Sequence, residues 1–176
     1  RSDNSKVYKN NLKKTEKAYK SFLVDLKNNK IPLLDSFKKK YDFDFTKKTI
    51  KKFIKYKNII IIGMGGSVLG SKAICSFFHK KIKKKIFFFD NLDPNLSLEY
   101  KKIKNLSKSC FVVISKSGNT LETILNLSLI FPREKLNKNL VIITEEHNSI
   151  LISIAIKYNA QIIKHKNFIG GRYSVL

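Results

Sequence analysis

From Asn58 onward, short apolar runs alternate with helical stretches, and this alternation limits the fold more than any other feature of the chain. Ile59–Ile62, Ile86–Phe89, Cys110–Ile114, Leu140–Ile143 and Gln161–Ile163 are rich in β-branched and aromatic residues and show almost no polar alternation. Such runs predict strands buried on both faces, as in a parallel sheet. Residues 67–79, 96–105, 120–130 and 149–158 lie between or after them and read as helices. Strand–helix–strand units connect parallel strands by right-handed crossovers. The expected fold class is therefore α/β, a doubly wound and mostly parallel five-stranded sheet.

Residues 1–57 differ in composition: they are Lys-rich and contain no glycine. Tyr8, Leu12, Tyr19, Phe22, Leu23 and Leu26 recur at helical spacing and predict a long amphipathic helix, broken by Asn28, Asn29 and Pro32. A second helix is expected after Thr46 as N-cap, with Ile50, Phe53 and Ile54 on its buried stripe. The expected organisation is an N-terminal helical arm, 1–57, followed by an α/β domain, 58–176.

The formal net charge is +23 at pH 7, carried by 33 Lys and only 3 Arg. Lys, Ile and Asn together supply 72 of the 176 residues, and all three have A- and T-rich codons, so base composition accounts for the lysine excess. Nucleic-acid surfaces favour the planar fork of Arg. No specific nucleic-acid partner is expected, although loose binding to polyanions at low salt is. Cys75 and Cys110 are the only cysteines, which excludes a disulfide scaffold and a four-cysteine zinc site, and both read as core residues. A reducing, cytoplasmic setting fits. No run approaches the roughly 18 apolar residues of a membrane helix, so no membrane partner is expected. The chain starts at Arg1 rather than Met and stops straight after a glycine-rich run, and so reads as a piece of a longer protein.

In a doubly wound sheet, ligands bind beyond the carboxyl ends of the strands. Two strand-to-helix loops stand out. Gly63-Met64-Gly65-Gly66-Ser67-Val68-Leu69-Gly70 follows the first strand. It fails as a dinucleotide fingerprint because Val68 stands where Gly or Ala is required, which also removes the case for Asp90 as a ribose ligand. It fails as a Walker A loop because Ser71-Lys72 inverts the Lys-Ser order. The second loop, Ser115-Lys116-Ser117-Gly118-Asn119-Thr120, brings three hydroxyls to a helix N-terminus, where free N–H groups and the helix dipole favour an anion. A phosphate monoester suits it; ordinary helix capping by Ser115 or Asn119 is the alternative. A third feature is Gly170-Gly171-Arg172-Tyr173-Ser174, where a scarce arginine follows two glycines. Its guanidinium suits a phosphate or a developing oxyanion. Glu122, one turn into the helix after the second loop, is a candidate to orient Lys116. His79, His147 and His165 read as surface residues.

These three motifs, in this order and spacing, resemble the glucose-6-phosphate isomerase family, with residues 58–176 similar to its N-terminal sugar-isomerase (SIS) domain. The stretch Asn91–Pro94 after the second strand is also similar. The resemblance implies that Gly66 and Ser67 contact substrate, and that Ser115, Lys116, Ser117, Gly118, Asn119 and Thr120 form the loop holding the 6-phosphate. It implies that Arg172 stabilises an enediolate. The implied reaction interconverts glucose 6-phosphate and fructose 6-phosphate through a cis-enediol, without metal or organic cofactor, in a homodimeric full-length enzyme. Many members carry Thr-Phe-Thr-Thr where this chain has Ser117-Gly118-Asn119-Thr120, a variant also similar to bifunctional phosphoglucose/phosphomannose isomerases. The family's catalytic Glu, ring-opening His and C-terminal Lys come later than the Gly-Gly-Arg motif, so none is expected within these residues, and the fragment itself should be inactive. The competing reading is a sugar-phosphate-sensing module of a transcriptional regulator. Such regulators carry a helix-turn-helix domain ahead of the sensor, and 1–57 is short for one.

Overall fold

A computed structural model describes residues 3–38, 40–131 and 139–171. The chain divides into two compact units, 1–42 and 43–176. The first contains α1, Asp3–Lys27, and a 3-10 turn at Pro32–Phe37. The apolar positions expected to line α1, such as Tyr8, Leu12 and Phe22, are exposed.

The second unit opens with α2, Lys47–Ile54. Thr46 caps it: its hydroxyl accepts from the Thr49 amide at 3.2 Å, and the Thr49 hydroxyl accepts back from the Thr46 amide at 3.4 Å. Only part of the expected stripe is covered, because Phe53 is half-buried while Ile50 and Ile54 are exposed. Then follow β1 (Asn58–Gly63), α3 (Gly66–Phe77), β2 (Lys85–Phe89), α4 (Leu96–Lys101), β3 (Ser109–Ile114), α5 (Leu121–Ile130), β4 (Leu140–Thr144), α6 (Ile150–Lys157) and β5 (Gln161–Lys164). The sheet begins at Asn58, as the change in composition suggested, whereas the compact unit containing it begins at Phe43.

All five strands are parallel, in the order β2-β1-β3-β4-β5. Continuous apolar runs build such a sheet because each face meets helices. On one face Ile60, Ile62, Phe111, Val113 and Ile142 pack with Leu127 and Ile130 of α5 and Leu151 and Ala155 of α6. On the other, Ile61 and Ile114 pack with Val68 of α3, and Cys110 and Val141 with Tyr56 and the half-buried Phe53. Edge-to-face contact of Phe111 with Phe131 at 5.2 Å closes the larger core.

Three expectations change here. The helix expected over 96–105 ends at Lys101; Asn105, at φ +62°, instead starts the 3-10 turn Leu106–Lys108 that leads into β3. His165 is buried rather than at the surface: its amide donates to the Thr144 carbonyl at 2.9 Å, carrying the chain in beside β4. Cys75 is half-buried on α3 rather than a core residue, whereas Cys110 lies in the core.

Burial pushes the Cys110 thiol up to about 12, with Lys84 a lesser opposing influence. The neutral thiol is therefore favoured by the folded state. Any stability linked to Cys110 is fully present below pH 9, its ordinary value, and is lost as pH rises from there toward about 12. At pH 8, iodoacetamide should alkylate Cys75 well before Cys110, read by peptide mass mapping; equal rates would contradict the packing of β3.

Candidate functional site

The order 2-1-3-4-5 places a topological switch point between β1 and β3, the position where such sheets bind ligands. The two loops singled out in the sequence leave these two strands and enter α3 and α5. A pocket of about 350 Å³ lies there, lined by Met64 and Ser67 from the first loop, Lys116, Ser117 and Thr120 from the second, Glu145 from the end of β4, and Gly171. The N-termini of α3 and α5 both belong to these loops, so two positive helix ends accompany the hydroxyls; in α3 the Ser67 and Val68 amides donate to the Met64 and Gly65 carbonyls.

Ser115 sits beneath the pocket, almost fully buried, with its Oγ 2.8 Å from Thr120 Oγ1. If Ser115 donates in this bond, the Thr120 proton stays free for an anion. Neither Ser115 nor Asn119 caps α5; Thr120 is its N-cap residue and makes no side-chain capping bond. Asn119 instead accepts from the Ile150 amide at 3.0 Å, at the start of α6. Gly118 likewise faces protein. Its φ is +63°, its carbonyl accepts from the Leu151 amide at 3.1 Å, and a Cβ there would lie 2.3 Å from Ser149 Oγ. Gly118 and Asn119 thus shape the loop from the α6 side and do not line the pocket. Gly66 starts α3 beside the pocket-lining Ser67.

Lys116 lines the pocket, yet its ammonium is well supplied with acceptors. Nζ donates to the Ile169 carbonyl at 2.7 Å and the Asn167 carbonyl at 2.9 Å, and pairs with Glu145 at 3.4 Å. An ammonium has three N–H donors, so all three have a partner. Glu145, not Glu122, is the carboxylate beside Lys116, which corrects the sequence expectation. Glu145 also lies 3.6 Å from His147 Nδ1, and His147 Nε2 lies 2.9 Å from the Ser117 carbonyl. Arg172, Tyr173 and Ser174 lie outside the described residues, so the expected enediolate-stabilising arginine has no described placement. Asp90, at the end of β2, is paired with Lys72 of α3 at 2.5 Å. Among the described residues no group of three or more His, Cys, Asp or Glu stands together as a metal site, and no helix is long and apolar enough to cross a membrane.

Sequence reasoning overlooked Met64 and Glu145 as pocket residues. Glu145 could have been found from its place just beyond β4, since every strand end near a switch point is a candidate.

The fold is that of sugar-isomerase domains. Tagatose-6-phosphate ketose/aldose isomerase from Escherichia coli shares the fold, with a TM-score of 0.53 and 15% identity over 81% of this chain and 40% of that one. More particularly, the chain belongs to the phosphoglucose isomerase family, whose model matches residues 17–176. It is 38% identical over 162 residues to glucose-6-phosphate isomerase of Methanocaldococcus jannaschii, covering 90% of this chain and 38% of that protein. A glucose-6-phosphate isomerase structure from Chlamydia trachomatis matches with a TM-score of 0.58 and 32% identity, over 70% of this chain and 25% of that one. The chain thus spans well under half the length of these relatives.

Proposed function

We propose that this chain supplies the phosphate-binding half of the active site of a glucose-6-phosphate isomerase, cytoplasmic and homodimeric in its full-length form, interconverting glucose 6-phosphate and fructose 6-phosphate. One observation carries the reading: a pocket at the switch point whose lining hydroxyls, Ser67, Ser117 and Thr120, sit beside the N-termini of α3 and α5. A phosphate dianion there accepts hydrogen bonds from these hydroxyls and from loop amides; with Ser115 as the donor in its bond to Thr120, the Thr120 proton is free for the phosphate.

Lys116 has a second part in this arrangement. Its bonds to the Asn167 and Ile169 carbonyls tie the phosphate loop to the turn leading into Gly170, Gly171 and Arg172. In the reaction a base takes the proton from C2 and returns it at C1, and negative charge develops on the enediolate oxygens between the two transfers. Arg172 would face that charge. The base, the ring-opening His and the further Lys belong to the family's later residues. The resemblance of the Gly-Gly-Arg-Tyr-Ser motif supports the role of Arg172, and the family match at 38% identity to a glucose-6-phosphate isomerase supports the substrate.

The test separates binding from turnover. Given fructose 6-phosphate, the 176-residue chain should bind it weakly and form no glucose 6-phosphate above a Ser115→Ala/Arg172→Ala control. The full-length protein should turn it over, with mannose 6-phosphate as the comparison substrate for selectivity. Turnover by the short chain above its control would overturn the division of labour.

A further inference from the structure

A large concavity of the second unit lies at the opposite end of the sheet from the candidate site. It has a volume of about 720 Å³, and eight of its thirteen lining residues are lysine, with no carboxylate among them. A random draw from a chain with 33 lysines in 176 would place two or three there, so composition alone does not explain it. The topology does. Asn58 is level with Lys85 on one side and Ser109 on the other, so Lys57, Lys84 and Lys108 form a row across the amino ends of β1, β2 and β3. The Lys57 amide donates to the Lys108 carbonyl at 2.8 Å, and the Lys85 amide to the Lys57 carbonyl at 3.2 Å, which fixes the row. Lys104 is added from the α4–β3 connection, where the Asn58 side chain donates to its carbonyl at 3.0 Å.

Like charges on adjacent strands repel, and a concave site lined by one sign of charge concentrates its field. The fold spends little on neutralising this one. Lys84 donates to the Ile54 and Tyr56 carbonyls and Lys102 pairs with Glu99, but no ion pair is found among the described residues for Lys57, Lys83, Lys85, Lys104 or Lys108. We propose that this basic pocket binds a linear polyphosphate group, free or carried on a nucleotide, independently of the sugar-phosphate site. Flexible, strongly hydrated ammonium groups serve a chain of phosphates as point charges, and no planar fork is required. The strands hold the two sites roughly 15–20 Å apart.

Calorimetric titration of the full-length protein with tripolyphosphate tests the proposal. Binding should survive saturating fructose 6-phosphate and weaken as salt rises. A Lys83→Gln/Lys104→Gln/Lys108→Gln variant should bind at least about tenfold more weakly, the usual effect of losing a charge-assisted contact. It should retain its isomerase kcat and KM, which also reports that it is folded. A control removing the same charge from α1, Lys9→Gln/Lys13→Gln/Lys17→Gln, should change affinity less than about twofold, the range of mere surface electrostatics. ATP titrated in parallel assigns the source: equal or weaker binding than tripolyphosphate points to free polyphosphate, and tighter binding to a nucleotide. Equal losses in the pocket and control variants would overturn the proposal, as would displacement of tripolyphosphate by fructose 6-phosphate.

Discussion

Arg172→Ala in the full-length enzyme should lower kcat about 100- to 1000-fold while KM changes by only a few fold, the usual cost of losing one oxyanion donor. A guanidinium beside C1 and C2 meets little charge in the bound sugar and much more in the enediolate. Only interactions that strengthen in the transition state accelerate the chemical step. Arg172→Lys should recover part of the loss, because an ammonium reproduces the charge but not the planar pair of donors. Steady-state kinetics with fructose 6-phosphate checks both variants. If Arg172→Ala raises KM with kcat intact, the side chain is a phosphate clamp, and the enediolate role is wrong.

The largest effect on stability should come from Gly118→Ala. The backbone there has φ +63°, and a Cβ would lie 2.3 Å from Ser149 Oγ, 2.8 Å from Ser149 Cβ and 2.8 Å from Thr144 Oγ1. Ser149 Cβ is fixed to the backbone, and the two hydroxyls are held by hydrogen bonds, Thr144 Oγ1 to the Lys116 carbonyl and Ser149 Oγ from the Ile152 amide. Ser149 is also the N-cap of α6, accepting from the Ile152 amide, so displacing it loosens that helix. Left-handed strain plus overpacking should cost about 3 kcal/mol. That corresponds to a fall in Tm of roughly 10 °C for a chain of this size. Gly65→Ala is the control: φ is +54° but the space is open, so only the strain remains, about 1–2 kcal/mol. Thermal unfolding of the pair decides, and equal losses would mean that the loop yields and the contact with α6 is not tight.

Much of this fold could be read from the chain because each strand is a continuous apolar run and each run is punctuated. Thr46 as an N-cap was legible because its partner lies three residues away. What the sequence hid depends on distant neighbours. Asn119 looked like a local cap or a phosphate ligand, but it serves a helix that starts at Ile150, and only the pairing of β3 with β4 brings them together. Glu145 reaches Lys116 for the same reason, while the nearby Glu122 does not. His165 lies between Lys164 and Lys166, a context that reads as exposed, yet the chain there continues along β4 and turns it inward. The exposure of Ile50 and Ile54 was equally invisible, because a helical stripe shows which residues share a face and not whether anything covers it. The candidate loops themselves were found by a rule about strand ends, and strand order then showed why these two belong to one site.

The central claim is that the pocket between the β1 and β3 loops holds the substrate phosphate. Ser117→Ala/Thr120→Val in the full-length enzyme removes two lining hydroxyls while keeping nearly the same volume. Phosphate contacts persist from ground state to transition state, so their loss should appear as uniform binding. Steady-state kinetics with fructose 6-phosphate should give a KM raised about 10- to 100-fold, one to two charge-assisted hydrogen bonds, with kcat within a few fold of the parent. An unchanged KM with a collapsed kcat would contradict the account.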